Sequence, residues 1–299
     1  MGTVIKTNNL HKESSVGGFL FYYPGKPDVE WRIFYQRSDG AIEAMVGDTG
    51  PQQVLAPGVA KLGTPIISTF HTSSVGQGST TFYINTSNEV CVFSYGGLSF
   101  NGTLKEPNGN TFKARSDSGL AAFVWVVNNT SHIRIAYQLN SNEVQQINWD
   151  GNSAFTWTYA SRSPPTMQGS SMSFINQSPS GQDQYFRGYY QHTDNSIMEL
   201  VDEPSQGYVG SFNQSLSNKT RISASYPAQG LQKFARAQGQ VGVFWVNADG
   251  TISRRTWNNG SWSGTENLNN AIKVNQNSGL LAWSWVPPTA TSPVKERII

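Results

Sequence analysis

The chain has 299 residues, of which 13% are charged and 12% aromatic, with 29 glycines and a formal net charge of +2. So small a charge, on basic residues scattered along the chain, excludes the electrostatic stripe that would hold nucleic acid. The single cysteine, Cys91, excludes an internal disulfide, and no apolar run approaches the length of a membrane span, so no membrane insertion is expected. Few charges, many aromatics and abundant Gly, Ser, Thr and Asn suit an all-β protein with many turns.

The first fifteen residues, MGTVIKTNNLHKESS, hold no apolar core of the length a secretion signal needs. Lys6 stands where a myristoylation pattern wants Ser or Thr. The expectation is a chain that is cytoplasmic or released by a non-classical route. TVIKTNNLHKESSVGGFLF runs parallel to QQVLAPGVAKLGTPIISTF (52–70), so residues 1–15 read as the last strand of a blade whose first strands lie elsewhere.

Five near-copies of one hairpin follow: RIFYQRSDGAIEA (32–44), TTFYINTSNEVCV (80–92), RIAYQLNSNEVQQ (134–146), RGYYQHTDNSIME (187–199) and GVFWVNADGTISR (242–254). The residue opening the second strand of each falls at Ile42, Val90, Val144, Ile197 and Ile252, in steps of 48, 54, 53 and 55. The turns between the strands are RSDG, NTSN, LNSN, HTDN and NADG, where Asp and Asn bond their own backbone and Gly or Asn takes the left-handed region. Apolar leading strands precede the copies at 18–23, 65–70, 120–126 and 172–175, with 231–237 the candidate for the fifth and 280–286 a sixth. Near-continuous apolar character suits strands covered on both faces. Fourth strands are expected around 155–160 and 260–264. A strand-built repeat of this length predicts a six-bladed β-propeller, one domain over 1–299. Its last blade takes two strands from the C-terminus, KERII included, and one from the N-terminus; five blades plus an extra strand pair is the alternative.

The copies resemble the repeat of the fungal fucose-binding lectins of the Aleuria type, Arg-Val-Tyr-Phe-Gln, turn, Ile-Arg-Glu, with an aromatic beyond. The resemblance implies a sugar between adjacent blades, held by an Arg, by a Glu twelve residues on, and by an aromatic ring. Carried over by position, Arg187, Glu199 and Tyr208 fill all three places in the fourth repeat. The third repeat has Arg134 but Gln146 in the Glu place, with Phe155 or Trp157 as its aromatic. The first has Arg32 but Ala44, with Glu43 one residue off and so on the other face of its strand. Thr80 and Val92, and Gly242 and Arg254, leave the second and fifth without either group.

These residue types suit a sugar. Arg supplies fixed donors, a carboxylate supplies acceptors, and a flat ring covers the C–H face at little entropic cost. Whether Arg187 and Glu199 share a face depends on the loop or a bulge, which the sequence leaves open; a structural ion pair between blades is the plain alternative. The function expected is that of a lectin for L-fucose or fucosylated glycans, not an enzyme, with glycans or glycoproteins as partners, a possible homodimer, and no cofactor or metal. A sialidase-like hydrolase and a glycan-independent interaction propeller are the rival classes. The hydrolase needs converging arginines and a close carboxylate pair, for which no spacing speaks. The four histidines show no ligand spacing. Eight Asn-X-Ser/Thr triplets occur, as chance provides in a chain so rich in these residues.

Overall fold

A computed structural model describes residues 10–21, 30–47, 49–73, 76–96, 100–128, 130–151, 156–176, 186–203, 206–212, 216, 219–225, 241–258, 261–269, 274, 279–285 and 295–298. Five antiparallel sheets follow one another along the chain, each a meander in sequence order. Blade I is β1 (Val16–Phe21), β2 (Glu30–Gln36), β3 (Ile42–Val46) and β4 (Gln52–Leu55). Blade II is β5 (Ile67–Ser73), β6 (Gly76–Ile84), β7 (Val90–Gly96) and β8 (Asn101–Thr103). Blade III is β9 (Leu120–Val127), β10 (Thr130–Gln138), β11 (Glu143–Trp149) and β12 (Thr158–Pro165). Blade IV is β13 (Met172–Asn176), β14 (Phe186–Gln191), β15 (Ile197–Glu203) and β16 (Gln206–Phe212). Blade V is β17 (Ile222–Ser225), β18 (Val241–Val246), β19 (Ile252–Asn258) and β20 (Ser261–Trp262), with β21 (Glu266–Asn269) also on β19. The sixth place is held by β22 (Ala282–Trp285) and β23 (Lys295–Ile298), a two-stranded sheet in which Arg297 lies opposite Trp283.

The five hairpin copies are the second and third strands of the five blades. Their turns close as their residues require: the last turn position takes positive φ at Gly40 (90°), Asn88 (61°), Asn142 (68°), Asn195 (66°) and Gly250 (82°). The Asp39, Asp194 and Asp249 carboxylates each accept the amide two residues on, at 2.9–3.0 Å.

A second repeat stands just before the leading strands: Ser14, Thr64, Ser118, Ser170, Thr220 and Ser278, at steps of 50, 54, 52, 50 and 58. Four of these hydroxyls accept a backbone amide from the end of the blade's own second strand: Ser14 from Gln36, Thr64 from Ile84, Ser118 from Gln138 and Ser170 from Gln191, at 2.7–2.9 Å. Glutamines then bind three blades to the next, the equivalent places in blades II and V being Ile84 and Val246. The Gln36 side chain accepts from Gly63 N (2.7 Å) and donates to Lys61 O (2.9 Å). Gln138 accepts from Gly169 N (2.9 Å) and donates to Met167 O (2.8 Å) and Thr166 Oγ1 (2.6 Å). Gln191 accepts from Thr220 N at 3.0 Å. Six copies of the pre-strand hydroxyl mark six blade positions, and the Gly279 amide donates to Ser14 O (2.9 Å), joining the sixth position to the first.

The core lies between blades. Phe34 and Ile42 of blade I pack with Tyr83, Cys91 and Phe93 of blade II; Phe82 and Val92 pack with Ile135, Tyr137 and Trp157 of blade III. Phe123 and Trp125 meet Phe174 and Phe186 of blade IV, and Tyr189 and Ile197 meet Val243 and Trp245 of blade V. Leu281 of the sixth sheet packs with Ile33 and Tyr35 of blade I. Burying both faces of each sheet in this way draws the chain into a ring.

One expectation needs correction. The fifth leading strand is β17, Ile222–Ser225, and not 231–237, which lies outside the described residues. Its sequence, ISAS, is too short and too rich in small polar residues to show an apolar run, yet all four residues are buried in the ring. The N-terminal strand that would complete the sixth blade falls mostly in 1–9, outside the described residues; from Leu10 to Ser15 the chain makes only an isolated bridge, Leu10 to Arg37.

Candidate functional site between blades IV and V

Arg187 is the second residue of β14 and lies opposite Val201 on β15; Glu199 lies opposite Tyr189. Two residues separate Glu199 from Val201, so Arg187 and Glu199 stand diagonally on one face of the sheet. The register answers the question the sequence left open. Arg187 Nη1 donates to Glu199 Oε1 at 2.5 Å, with the two side chains 10% and 5% exposed. The Tyr189 hydroxyl donates to the same Oε1 at 2.9 Å. Burial first, and the Glu199 charge second, hold the Tyr189 phenol well above its ordinary pKa, so it stays a donor. Both bonds thus fall on Oε1. Oε2 takes none among the described residues and is left to accept from a ligand.

The ring over this pair comes from the next blade. The Arg187 guanidinium carbon sits 4.8 Å from the centroid of Trp257, on β19. Trp262 of β20 lies 5.4 Å from Trp257 and meets Tyr189 edge-on at 6.2 Å. A cation, a carboxylate oxygen and a half-buried indole therefore converge at the blade IV–blade V groove. Tyr208, expected as the aromatic, lies on β16 opposite Leu200, and its side chain is outside the described residues. The sequence did carry a signal for Trp257. Fifteen residues after the Arg-slot positions Thr80, Arg134 and Gly242 stand Tyr95, Trp149 and Trp257, an aromatic column on the third strands. Trp257 belongs to the groove of the preceding blade and is invisible while each repeat is read alone.

The blade III–blade IV groove is built on the same register. Arg134 lies opposite Asn148, and Gln146 opposite Ala136. Arg134 Nε donates to Asn148 Oδ1 (2.7 Å) and Nη1 to Gln146 Oε1 (3.3 Å). Its guanidinium lies 5.1 Å from the Phe186 centroid and 6.0 Å from that of Trp125. Trp157 is corrected: it is fully buried between blades II and III, edge-on to Phe82 at 5.9 Å, and forms core rather than a groove wall. Phe155 lies outside the described residues.

In blade I, Arg32 lies opposite Val46 with its guanidinium 6.0 Å from the Phe19 centroid, and Ala44 lies opposite Phe34. Glu43 is turned to the other face, as its offset demands, where Tyr35 (2.7 Å) and Arg37 (3.2 Å) donate to it. No carboxylate from either position reaches Arg32. Thr80 of blade II is buried beside Ser94, and Arg254 of blade V pairs outward with Glu266 at 2.7 Å. Among the described residues no group of His, Cys, Asp and Glu is placed to hold a metal, and no helix is long and apolar enough to cross a membrane.

Residues 30–293 match the model of the fungal fucose-specific lectin family. The chain belongs to that family. Over 206 residues it is 29% identical to the fucose-specific lectin of Aleuria aurantia, covering 64% of this chain and 62% of that one, so the match spans less than two thirds of the relative's length. The fold matches AofleA from Arthrobotrys oligospora (TM-score 0.77, 21% identity, 97% of this chain and 80% of that one). It also matches the Aleuria aurantia lectin, solved as a six-bladed β-propeller (TM-score 0.74, 22% identity, 94% and 87% covered). A variant of that lectin has been solved with α-methyl-L-fucoside (TM-score 0.75, 20% identity, 97% and 88% covered). These likenesses establish the propeller fold; among the described residues four blades are four-stranded, blade V carries a fifth strand, and β22 and β23 form a two-stranded sheet beside them.

Proposed function

We propose that this protein is a lectin for L-fucose or fucosylated glycans, and that its principal site is the groove holding Arg187, Glu199 and Trp257. The observation that carries the reading is the division of labour on Glu199: Oε1 is fixed by Arg187 and Tyr189, and Oε2 is left to accept from a sugar hydroxyl. The Trp257 indole, 4.8 Å from the guanidinium, is placed to cover a C–H face. Membership of a lectin family and a relative solved with a fucoside point the same way.

The rival readings find less support. Arg32, Arg134 and Arg187 lie on different blades against different rings, so they do not form the single carboxylate clamp a sialidase would need. A glycan-independent scaffold gives no reason for a buried Arg–Glu pair beneath an indole. One strong groove per chain gives weak affinity, because sugars leave good hydration behind; homodimerisation would supply avidity. A glycan array tests the proposal. Fucosylated glycans are expected to dominate for the unaltered protein and to vanish for Trp257→Ala; equal signal on non-fucosylated glycans, or turnover of a fluorogenic fucoside or sialoside, would overturn it.

A further inference from the structure

The leading strands surround a central cavity of about 150 Å³. Six residues that directly follow the pre-strand hydroxyls line it: Ser15, Pro65, Gly119, Ser171, Arg221 and Gly279. Five of these are small and one is a long cation. Among the described residues, Arg221 is the one ionisable side chain on the cavity wall. It stands directly before Ile222, which pairs with Trp245 beside the hairpin turn, whereas Ser225 at the other end of the strand pairs with Gly242 in the Arg slot. This cation and the Arg-slot positions therefore lie toward opposite ends of the blades.

Water solvates this charge poorly. Burial pushes the Arg221 pKa down, and the charge of Glu13, the residue before Ser14, offsets part of that. A guanidinium carries five N–H donors in a fixed fork, more than one protein partner takes, and the fork matches the paired oxygens of a phosphate or carboxylate. Further donors face the cavity. Ser173 and Ser223 both line it, and each accepts an amide of the next leading strand, from Ala224 N at 2.8 Å and Ala282 N at 2.9 Å. Each keeps a hydroxyl proton that goes to no acceptor among the described residues. The loops leading into the ring carry Lys12, Lys61, Arg115 and Lys219 against Glu13 and Asp117. Asp117 is already held by Arg115 (2.5 Å) and Lys219 (3.3 Å). The field at this end of the ring thus favours an anion.

We propose that the central cavity binds a small oxyanion of the phosphate, sulfate or carboxylate class, with Arg221 as its charged ligand and the Ser173 and Ser223 hydroxyls as further donors. The volume lies below the roughly 300 Å³ at which pockets for drug-sized ligands begin, so the occupant is small. Ile66, Leu120, Ala122 and Ala282 make the facing wall apolar, and the low local dielectric strengthens each bond to the ion. The site stands whether or not the blade grooves bind fucose.

Calorimetric titration with phosphate, sulfate and acetate tests this, with sodium chloride holding the ionic strength constant. One saturable site per chain is expected for at least one of the three, the three arms telling the oxyanions apart. Arg221→Met, which keeps bulk and removes the charge, is expected to weaken that binding at least tenfold. Ser15→Glu sets a tethered carboxylate on the same ring of six positions and is expected to displace the ion to the same extent; it decides alone if Arg221→Met fails to fold. Affinity for α-methyl-L-fucoside should stay unchanged in both variants. No saturable binding by the unaltered protein, binding that Arg221→Met (or Ser15→Glu in its stead) leaves in place, or competition between oxyanion and fucoside would overturn the proposal. Oxyanion binding that depends on Arg221, in a protein that ignores fucoside, would overturn the fucose reading alone.

Discussion

At the scale of single residues, Glu199 and Trp257 play separable parts. Glu199→Gln keeps the shape but removes the charge that shortens and strengthens a hydrogen bond from a sugar hydroxyl. We expect fucoside affinity to fall about tenfold, equivalent to ~1.4 kcal/mol, in a calorimetric titration. Trp257→Ala removes a half-buried ring without stranding a charge, so affinity should fall by at least as much while the melting temperature changes little. Arg187→Ala is the harsher change: it leaves Glu199 uncompensated in a buried position and should cost ~3–5 kcal/mol of stability in urea denaturation. Trp157→Ala, by contrast, should destabilise by ~3–5 kcal/mol through the cavity between blades II and III and leave fucoside affinity of the folded fraction intact. The two tryptophans mark the limit of a one-dimensional reading. Arg187 and Glu199 are visible in sequence because they lie twelve residues apart within one hairpin. Trp257 is 58 residues beyond Glu199 and joins them only once neighbouring blades are set side by side.

At the scale of elements, each hairpin is fixed by its turn and three of the joints by a glutamine. Gln138 makes three side-chain bonds to the loop leading into blade IV. Gln138→Ala would leave Gly169 N and Thr166 Oγ1 without that partner in a buried joint, a loss of ~2–3 kcal/mol. The prediction is a lower denaturation midpoint, while Asn140→Ala, in the exposed turn of the same hairpin, leaves the midpoint in place. Turns also set the acid limb of stability. Lys113, Asn85 and Thr111 donate to Glu89 and hold its carboxyl down at about 2, and bonds from Ser196 hold that of Asp194 at about 2. Both values lie below the ordinary ones, so the contribution is complete above about pH 4.5 and is lost as pH falls toward 2. The melting temperature should drop over that window, and Glu89→Gln should flatten part of the drop. The hairpins were legible because period-two patterns and Asp/Asn–Gly turns are local. The leading strand of blade V was not, because ISAS owes its burial to the ring and not to its own hydrophobicity.

For the whole molecule, the ring follows from two repeats that agree. Hairpins recur five times, and the hydroxyl before each leading strand recurs six times, the last at Ser278. The second series already contains the sixth position, which the hairpins alone leave half-written at KERII. Degeneration of the grooves is uneven across this ring: blade I has an arginine facing Val46 and Ala44, blade III one facing amides, and blade IV one facing a carboxylate. On the proposed reading, a chain with one fucose groove would gain avidity from a second copy. Sedimentation of the protein alone should show a self-associated species, and dilution below its dissociation should abolish red-cell or glycoprotein cross-linking before it abolishes fucoside binding.

The most direct measurement is a crystal structure grown with α-methyl-L-fucoside. The sugar is expected between blades IV and V, with its C–H face against Trp257, a hydroxyl donating to Glu199 Oε2, and an oxygen accepting from Arg187. Density for the fucoside elsewhere on the ring, with that groove empty at saturating sugar, would contradict the account.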